Sequence, residues 1–116
     1  MAADLKAPIS IEDLRKVDIR VGRIRRIAEI AGSDKLVRME VDFEGFTRTV
    51  VAGLKKERAD PTEIKGKQAL FVVNLPPRKM AGIMSEAMLF DIGYEDGIVP
   101  VLAVPERPVP DGVRAG

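Results

Sequence analysis

The chain changes its hydrophobic rhythm several times, and each change marks an element. Ser10 is followed by Ile11, Glu12 and Asp13, an N-cap residue with carboxylates in the first turn, where the positive end of a helix favours them. A short helix is predicted over residues 11–16. From Val17 the pattern alternates, with Val17, Ile19 and Val21 on one face and Asp18, Arg20 and Gly22 on the other, the period of a half-buried strand. The phase slips at Gly22-Arg23, because Ile24, Ala28 and Ile30 fall on even numbers, as a β-bulge produces; Ile27 does not fit the new phase.

After the turn Ala31-Gly32-Ser33-Asp34, the residues Val37, Met39, Val41 and Phe43 alternate with Arg38, Glu40 and Asp42 in a second strand. Glu44-Gly45 then leads into a third strand over 46–52, rich in β-branched residues, so the two form a hairpin. Residues 54–66 are charged and hold Asp60-Pro61, a cap followed by a residue suited to a first helical turn, and read as a helical connection. The unbroken apolar run Ala69 to Val73 suits a central strand covered on both faces. Two further apolar runs, 87–92 and 98–104, are joined by Tyr94-Glu95-Asp96-Gly97 and are expected to close the sheet. The Pro- and Gly-rich tail keeps Val104, Val109 and Val113 as apolar anchors and is expected to lie against the body.

Five or more short strands with a helical connection before the fourth predict an all-β fold, a closed barrel that leaves no exposed edge. The order fits an OB-fold, a five-stranded barrel with short helices and a C-terminal extension, with residues 1–10 as an N-terminal tail and 11–116 as the domain. Periodicity admits other small barrels nearly as well, and leaves room for a β-sandwich.

Composition narrows the chemistry. The 116 residues fit one compact domain, and 46% hydrophobic with 32% charged residues is a globular mixture. No apolar run is long enough for a membrane span, and Met1 to Ser10 lacks a signal-peptide pattern, so a soluble cytoplasmic protein is expected. There is no cysteine and no histidine, which removes disulfides, thiolate metal sites, cysteine nucleophiles, the commonest general base and the commonest transition-metal ligand. No catalytic residue, metal site or cofactor is expected, and the protein is read as no enzyme. Glu95 and Asp96 sit in a glycine-containing turn, and a structural role is the expectation there.

The net charge of +1 hides an asymmetry. Residues 1–79 hold 17 Lys+Arg against 12 Asp+Glu, a balance of +5, whereas 80–116 hold 2 against 6, a balance of −4. A local basic patch holds polyanions even on a nearly neutral protein. The densest unusual stretch runs from Asn74 to Met88, directly after the core strand. Pro76 and Pro77 stiffen the backbone around Arg78 and Lys79, and Gly82 permits close approach or positive φ. Asn74 and Ser85 add directional donors and acceptors, while Met80, Met84 and Met88 offer adaptable apolar contact or core filling. Arg20, Arg23, Arg25 and Arg26 form either a basic stripe or an ordinary solvated strand face. Lys55, Lys56 and Arg58 read as a wet helix face. Only 4% of residues are aromatic, too few for base-stacking platforms, so folded RNA suits this surface better than single strands.

The order Asn-Leu, Lys-Met, Gly, Ser and Met over 74–88 resembles the transfer-RNA-binding domain family. That family includes free-standing tRNA-binding proteins, appendices or beta subunits of methionyl-tRNA synthetases, and CsaA-type export chaperones. Asp18 to Gly22, Ser33 to Leu36 and Pro108 to Gly112 are similar to its other signatures, so the resemblance runs from Ile11 onward. It implies an OB-fold homodimer that recognises the shape of tRNA without chemistry of its own, in some members beside an aminoacyl-tRNA synthetase. Carried over by position, Asn74, Lys79, Met80, Ser85 and Met88 form the binding segment, with Lys35 and Arg20 on or near the same surface; Arg78 and Gly82 join it from the residue reading. Residues 28–32 lack the His-Pro often found before Ser33. Pro76-Pro77 and the ending at 108–112 look close to the chaperone branch, whose partner is a precursor peptide, and Val51 to Lys56 resembles the synthetase branch.

Overall fold

Strand β1 (Ile19–Glu29) is the axis of the molecule because it changes partners halfway along. Residues 19–23 pair antiparallel with β4 (Gln68–Val72), and residues 23–29 pair on the other edge with β2 (Val37–Asp42), which forms a hairpin with β3 (Thr47–Ala52). With β7 (Met88–Leu89) beside β4, the order is β3-β2-β1-β4-β7, and β8 (Arg114–Ala115) takes the edge of β1 that β2 leaves free. A small hairpin of β5 (Arg78–Met80) and β6 (Ile83–Ser85) stands outside this sheet. The structure is a computed structural model and describes residues 3–116; the first two residues of the expected tail lie outside them.

The barrel closes where β3 meets the chain just after β6. Glu86 N–H donates to the Thr49 carbonyl at 2.8 Å, Thr49 N–H donates to Glu86 Oε1 at 2.8 Å, and Val51 N–H donates to Ser85 Oγ at 3.0 Å. Side chains therefore complete a seam that main-chain pairing leaves short. The result is the nearly closed, five-stranded antiparallel barrel with short helices that the strand order predicts. Ser85 is buried and its hydroxyl also donates to the Ala87 carbonyl at 3.2 Å. Ser85→Ala leaves the Val51 N–H unpaired beside the core, so a loss of about 1–2 kcal/mol is expected, read as a lower urea midpoint; an unchanged midpoint shows that the seam closes without it.

The interior is filled by Ile24, Met39, Val41, Phe43, Val50, Leu54, Ile64, Phe71 and Leu89. Phe43 meets Phe71 edge-on at 5.6 Å and stacks on Phe46 at 5.0 Å. Gly22 sits where β1 passes over this ring cluster: a Cβ there would come within 2.5 Å of Val41 Cγ1 and 2.7 Å of Phe43 Cε1. This moves the expected bulge. Gly22 already faces inward opposite Ala69, and the register slips between Ile24 and Arg26. The extra residue turns Ile27 toward the core opposite Met39 and leaves Ala28 exposed, which accounts for the residue that fitted neither phase.

Helix α1 (Ile11–Leu14) is capped by Ser10, whose Oγ accepts from Asp13 N–H at 3.0 Å, and ends two residues short of the predicted span. The connection after β3 consists of two 3-10 turns, Leu54–Lys56 and Pro61–Ile64, the second capped by Asp60; each drops one buried residue, Leu54 and Ile64, into the core. The apolar runs near the C-terminus make less strand than predicted. They yield only β7 and one bridge between Ile92 and Val101, and Ile98, Val99, Val101 and Val104 remain exposed.

The tail lies against the barrel, but polar groups hold it. Buried Gln68 donates from Nε2 to the Val109 carbonyl at 2.6 Å and to Asp111 Oδ1 at 2.8 Å, and its Oε1 accepts from Val109 N–H at 3.2 Å. Asp111 receives Arg23 at 3.2 Å and Arg25 at 3.4 Å. Of the three expected anchors, Val104 and Val113 are exposed and only Val109 is half-buried, because backbone pairing and this buried amide already fix the segment.

Candidate nucleic-acid interface

The segment after the core strand begins with a staple. Asn74 donates from Nδ2 to the Lys16 carbonyl at 2.6 Å and accepts at Oδ1 from Asp18 N–H at 2.9 Å. Both ends of its side chain are thus spent on joining the exit of β4 to the entrance of β1. Pro76 and Pro77 follow, and then the β5–β6 hairpin, in which Arg78, Lys79 and Met80 lie opposite Ser85, Met84 and Ile83. The two-residue turn Ala81-Gly82 has positive φ at both positions, 50° and 81°, the pattern of a type I′ turn, whose twist matches the strands it joins. Gly82 has open space around it, so backbone conformation and not close approach selects glycine there.

This geometry presents cations. Arg78 and Lys79 are exposed, and among the described residues neither is paired with a carboxylate. Lys79 shares a face with Met84, while Arg78 lies opposite Ser85. Met80 is half-buried, whereas Met88 is 46% exposed on the outer side of the sheet opposite Val72. Ser85, like Asn74, turns its polar atoms onto the protein itself.

The other two residues singled out lie apart from the hairpin. Lys35 is exposed in the loop between β1 and β2; that loop is braced by Ser33 Oγ, which accepts from Leu36 N–H at 3.0 Å, and by Lys55 Nζ, which donates to the Ser33 carbonyl at 2.9 Å. Arg20 is half-buried at the end of the barrel, with Nε and Nη2 donating to Asp18 at 2.9 and 3.1 Å. The Arg20 guanidinium holds the Asp18 carboxyl below its ordinary range against the opposing effect of burial. Because Asp18 also carries the Asn74 staple, Arg20 is connected to the base of the hairpin.

Of the proposed basic stripe, Arg23 is committed to Asp111, and Arg25 to Asp111 and Asp42. Arg58 is taken by Glu63. Alternation also carries an unexploited signal: Arg48 shares the parity of Val50 and Ala52, and it is half-buried with its guanidinium carbon 5.0 Å from the centre of the Phe46 ring. Glu57 and Asp91 both have raised carboxyl pKa values, chiefly from burial, with the charge of Asp91 adding to the effect on Glu57. Among the described residues there is no group of three or more His, Cys, Asp or Glu arranged to hold a metal ion, and no helix long and apolar enough to cross a membrane.

Residues 19–114 match the family described as "Putative tRNA binding domain". The chain is 42% identical over 101 residues to a methionine–tRNA ligase of Porphyromonas gingivalis, covering 87% of this chain and 15% of that enzyme. It is 38% identical over 112 residues to the ligase of Nitrosomonas europaea, covering 97% of this chain and 16% of the enzyme. It thus spans a small part of these relatives. Among solved structures, it superposes on the MetRS-related protein of Pyrococcus horikoshii with a TM-score of 0.87 and 32% identity, covering 96% of this chain and all of the other. The chaperone CsaA of Bacillus anthracis superposes with a TM-score of 0.81 and 31% identity, covering 95% of this chain and all of the other.

Proposed function

The chain belongs to the tRNA-binding domain family, and on that footing we propose that it is a non-catalytic module that holds folded tRNA through the β5–β6 hairpin. One observation carries this reading: among the described residues Arg78 and Lys79 have no ion-pair partner, and they stand on a hairpin whose shape is already set by Asn74, Ser85 and the Ala81-Gly82 turn. Cations ordered in advance lose little entropy on meeting phosphate. Asn74 and Ser85 serve by positioning the hairpin, Gly82 by completing its turn, and Met80 and Met88 by apolar contact beside the cations. Lys35 and Arg20 supply further cationic contacts to the same RNA away from the hairpin. With one tyrosine, four phenylalanines and no tryptophan, the module reads backbone and shape, which suits a preformed RNA.

The module works in the cytoplasm, where charged and uncharged tRNA circulate, as an accessory to a methionyl-tRNA synthetase. It acts as a homodimer that covers the exposed apolar residues Ile92, Ile98, Val99 and Val101. That same apolar surface, together with the likeness to CsaA, supports a second reading in which the ligand is an unfolded precursor peptide. Sedimentation of the purified chain separates them. The protein alone is expected at twice the 12.7 kDa chain mass, and with bulk folded tRNA it is expected to form a complex that weakens steeply with salt, beyond any complex with an unfolded RNA of equal length. Peptide binding without tRNA binding establishes the chaperone reading instead, and a monomer removes the dimer.

A further inference from the structure

The open end of the barrel carries positive charge that the hairpin does not account for. There β1 begins, β4 ends and β8 attaches, so that Arg20 lies opposite Phe71 on one edge and opposite Arg114 on the other. Arg20 and Arg114 therefore share the face of the core ring Phe71. Arg48 has the same orientation, since it lies opposite core residue Val41. The guanidinium carbons of Arg20 and Arg48 stand 5.7 and 5.0 Å from the centre of the Phe46 ring. Cation–π attraction holds both groups there without using any of their N–H donors.

Among the described residues, one carboxylate answers these cations. Asp18 bonds Arg20, and Arg114 is near enough to act on the same carboxyl through its charge. Among the described residues, Arg48 and Arg114 have no ion-pair partner. Among the described residues Arg48 Nε and Arg58 Nε are both buried without a hydrogen-bond partner, but Arg58 is paired with Glu63 through Nη1 whereas Arg48 has no carboxylate. A buried donor without an acceptor is costly, and in a native structure strain, function, or a bound water or ion accounts for it. A guanidinium offers planar pairs of donors that match the oxygens of phosphate.

We propose that this end of the barrel is a phosphate subsite, in which Arg48 and Arg114, flanked by the Asp18-held Arg20, take one backbone phosphate of the RNA held by the hairpin. The inference rests on the tRNA-binding reading and adds a second point of attachment to it. The two are adjacent by construction, because Asn74 at the base of the hairpin bonds Asp18 directly. Two anchored points define an orientation, which a single hairpin does not.

The test uses the full chain with arginine side chains observed by 15N–1H spectroscopy. Titration with inorganic phosphate, and then with folded tRNA, is expected to move the Arg48 Nε–H signal. The double variant Arg48→Met, Arg114→Ala is expected to bind tRNA about tenfold more weakly, with a salt slope shallower by about 1. Its melting temperature is expected to hold, since methionine keeps the apolar stem and removes the orphan donor. If that variant folds poorly, Arg114→Ala alone, on the exposed edge strand, carries the affinity measurement. A still Arg48 signal and wild-type affinity in the variant overturn the subsite while leaving the hairpin reading intact. Failure of the wild-type chain to bind tRNA overturns the hairpin reading, and the phosphate titration then judges the barrel end by itself. A larger response to an acidic peptide than to phosphate also overturns the assignment.

Discussion

Gly112→Ala is expected to cost about 3 kcal/mol or more, which is large for the exchange of one hydrogen atom for a methyl group. Two effects add. Gly112 has φ +88°, a region where an alanine is strained by roughly 1–2 kcal/mol. A Cβ there would also fall inside the envelope of the Phe43 carbonyl oxygen and 3.0 Å from its carbon; both are main-chain atoms of the core turn and cannot yield as a flexible side chain does. Relief requires the C-terminal segment to lift. Lifting breaks Gly112 N–H to the Val21 carbonyl at 2.7 Å and Val21 N–H to the Val113 carbonyl at 2.9 Å, bonds contributing about 1 kcal/mol each, and loosens the Gln68 and Asp111 contacts. Gly82→Ala is the control, since it has φ +81° and, among the described residues, nothing within 4 Å of its Cβ; about 1–2 kcal/mol is expected there. Urea midpoints give the two losses, and amide exchange at Val21 shows whether the segment has lifted. Equal costs for the two variants would show that backbone strain alone matters and that the clash is absorbed.

Arg78→Ala combined with Lys79→Ala is expected to have the largest effect on function with almost none on folding. Both residues are exposed and make no ion pair among the described residues, so stability should stay within about 0.5 kcal/mol. If each cation neutralises one phosphate, the slope of log affinity against log salt should become shallower by about 1.5. Affinity for folded tRNA should fall by about tenfold to a hundredfold near physiological salt. Because the Asn74 staple, the Ser85 seam and the Ala81-Gly82 turn do not depend on either cation, the hairpin should keep its shape, and amide exchange across Lys79 and Met84 should be unchanged. A folded double variant that binds as the parent does removes the hairpin from the interface.

Much of the fold was legible because the signals are local. Ser10 before two carboxylates, the alternation of 37–43, the Glu44-Gly45 reversal, Asp60-Pro61 and the apolar run at 69–73 each specify an element through contacts within a few residues, and each element is present. The site was legible in part for the same reason: proline, cation and glycine succeed one another within a single hairpin. What alternation misplaced were positions whose meaning depends on distant partners. Gly22 reads as outward by parity with Arg20, yet the side chains that occupy its space are those of Val41 and Phe43. The apolar runs after Met88 read as strands, but only Met88 and Leu89 find a ladder beside β4.

The sequence by itself therefore determined the order and kind of the elements, the absence of histidine and cysteine chemistry, and the presence of a stiffened basic segment after the fourth strand, because composition and short-range stereochemistry suffice for these. Only the tertiary structure decided that Asn74 and Ser85 spend their polar atoms on the protein, that Gln68 and Asp111 hold the tail, and that Arg20 lies opposite Arg114 and shares the Phe46 ring with Arg48. Each of those pairings joins residues separated by tens of positions, and which distant groups meet is settled by strand register and barrel closure, which local patterning does not encode.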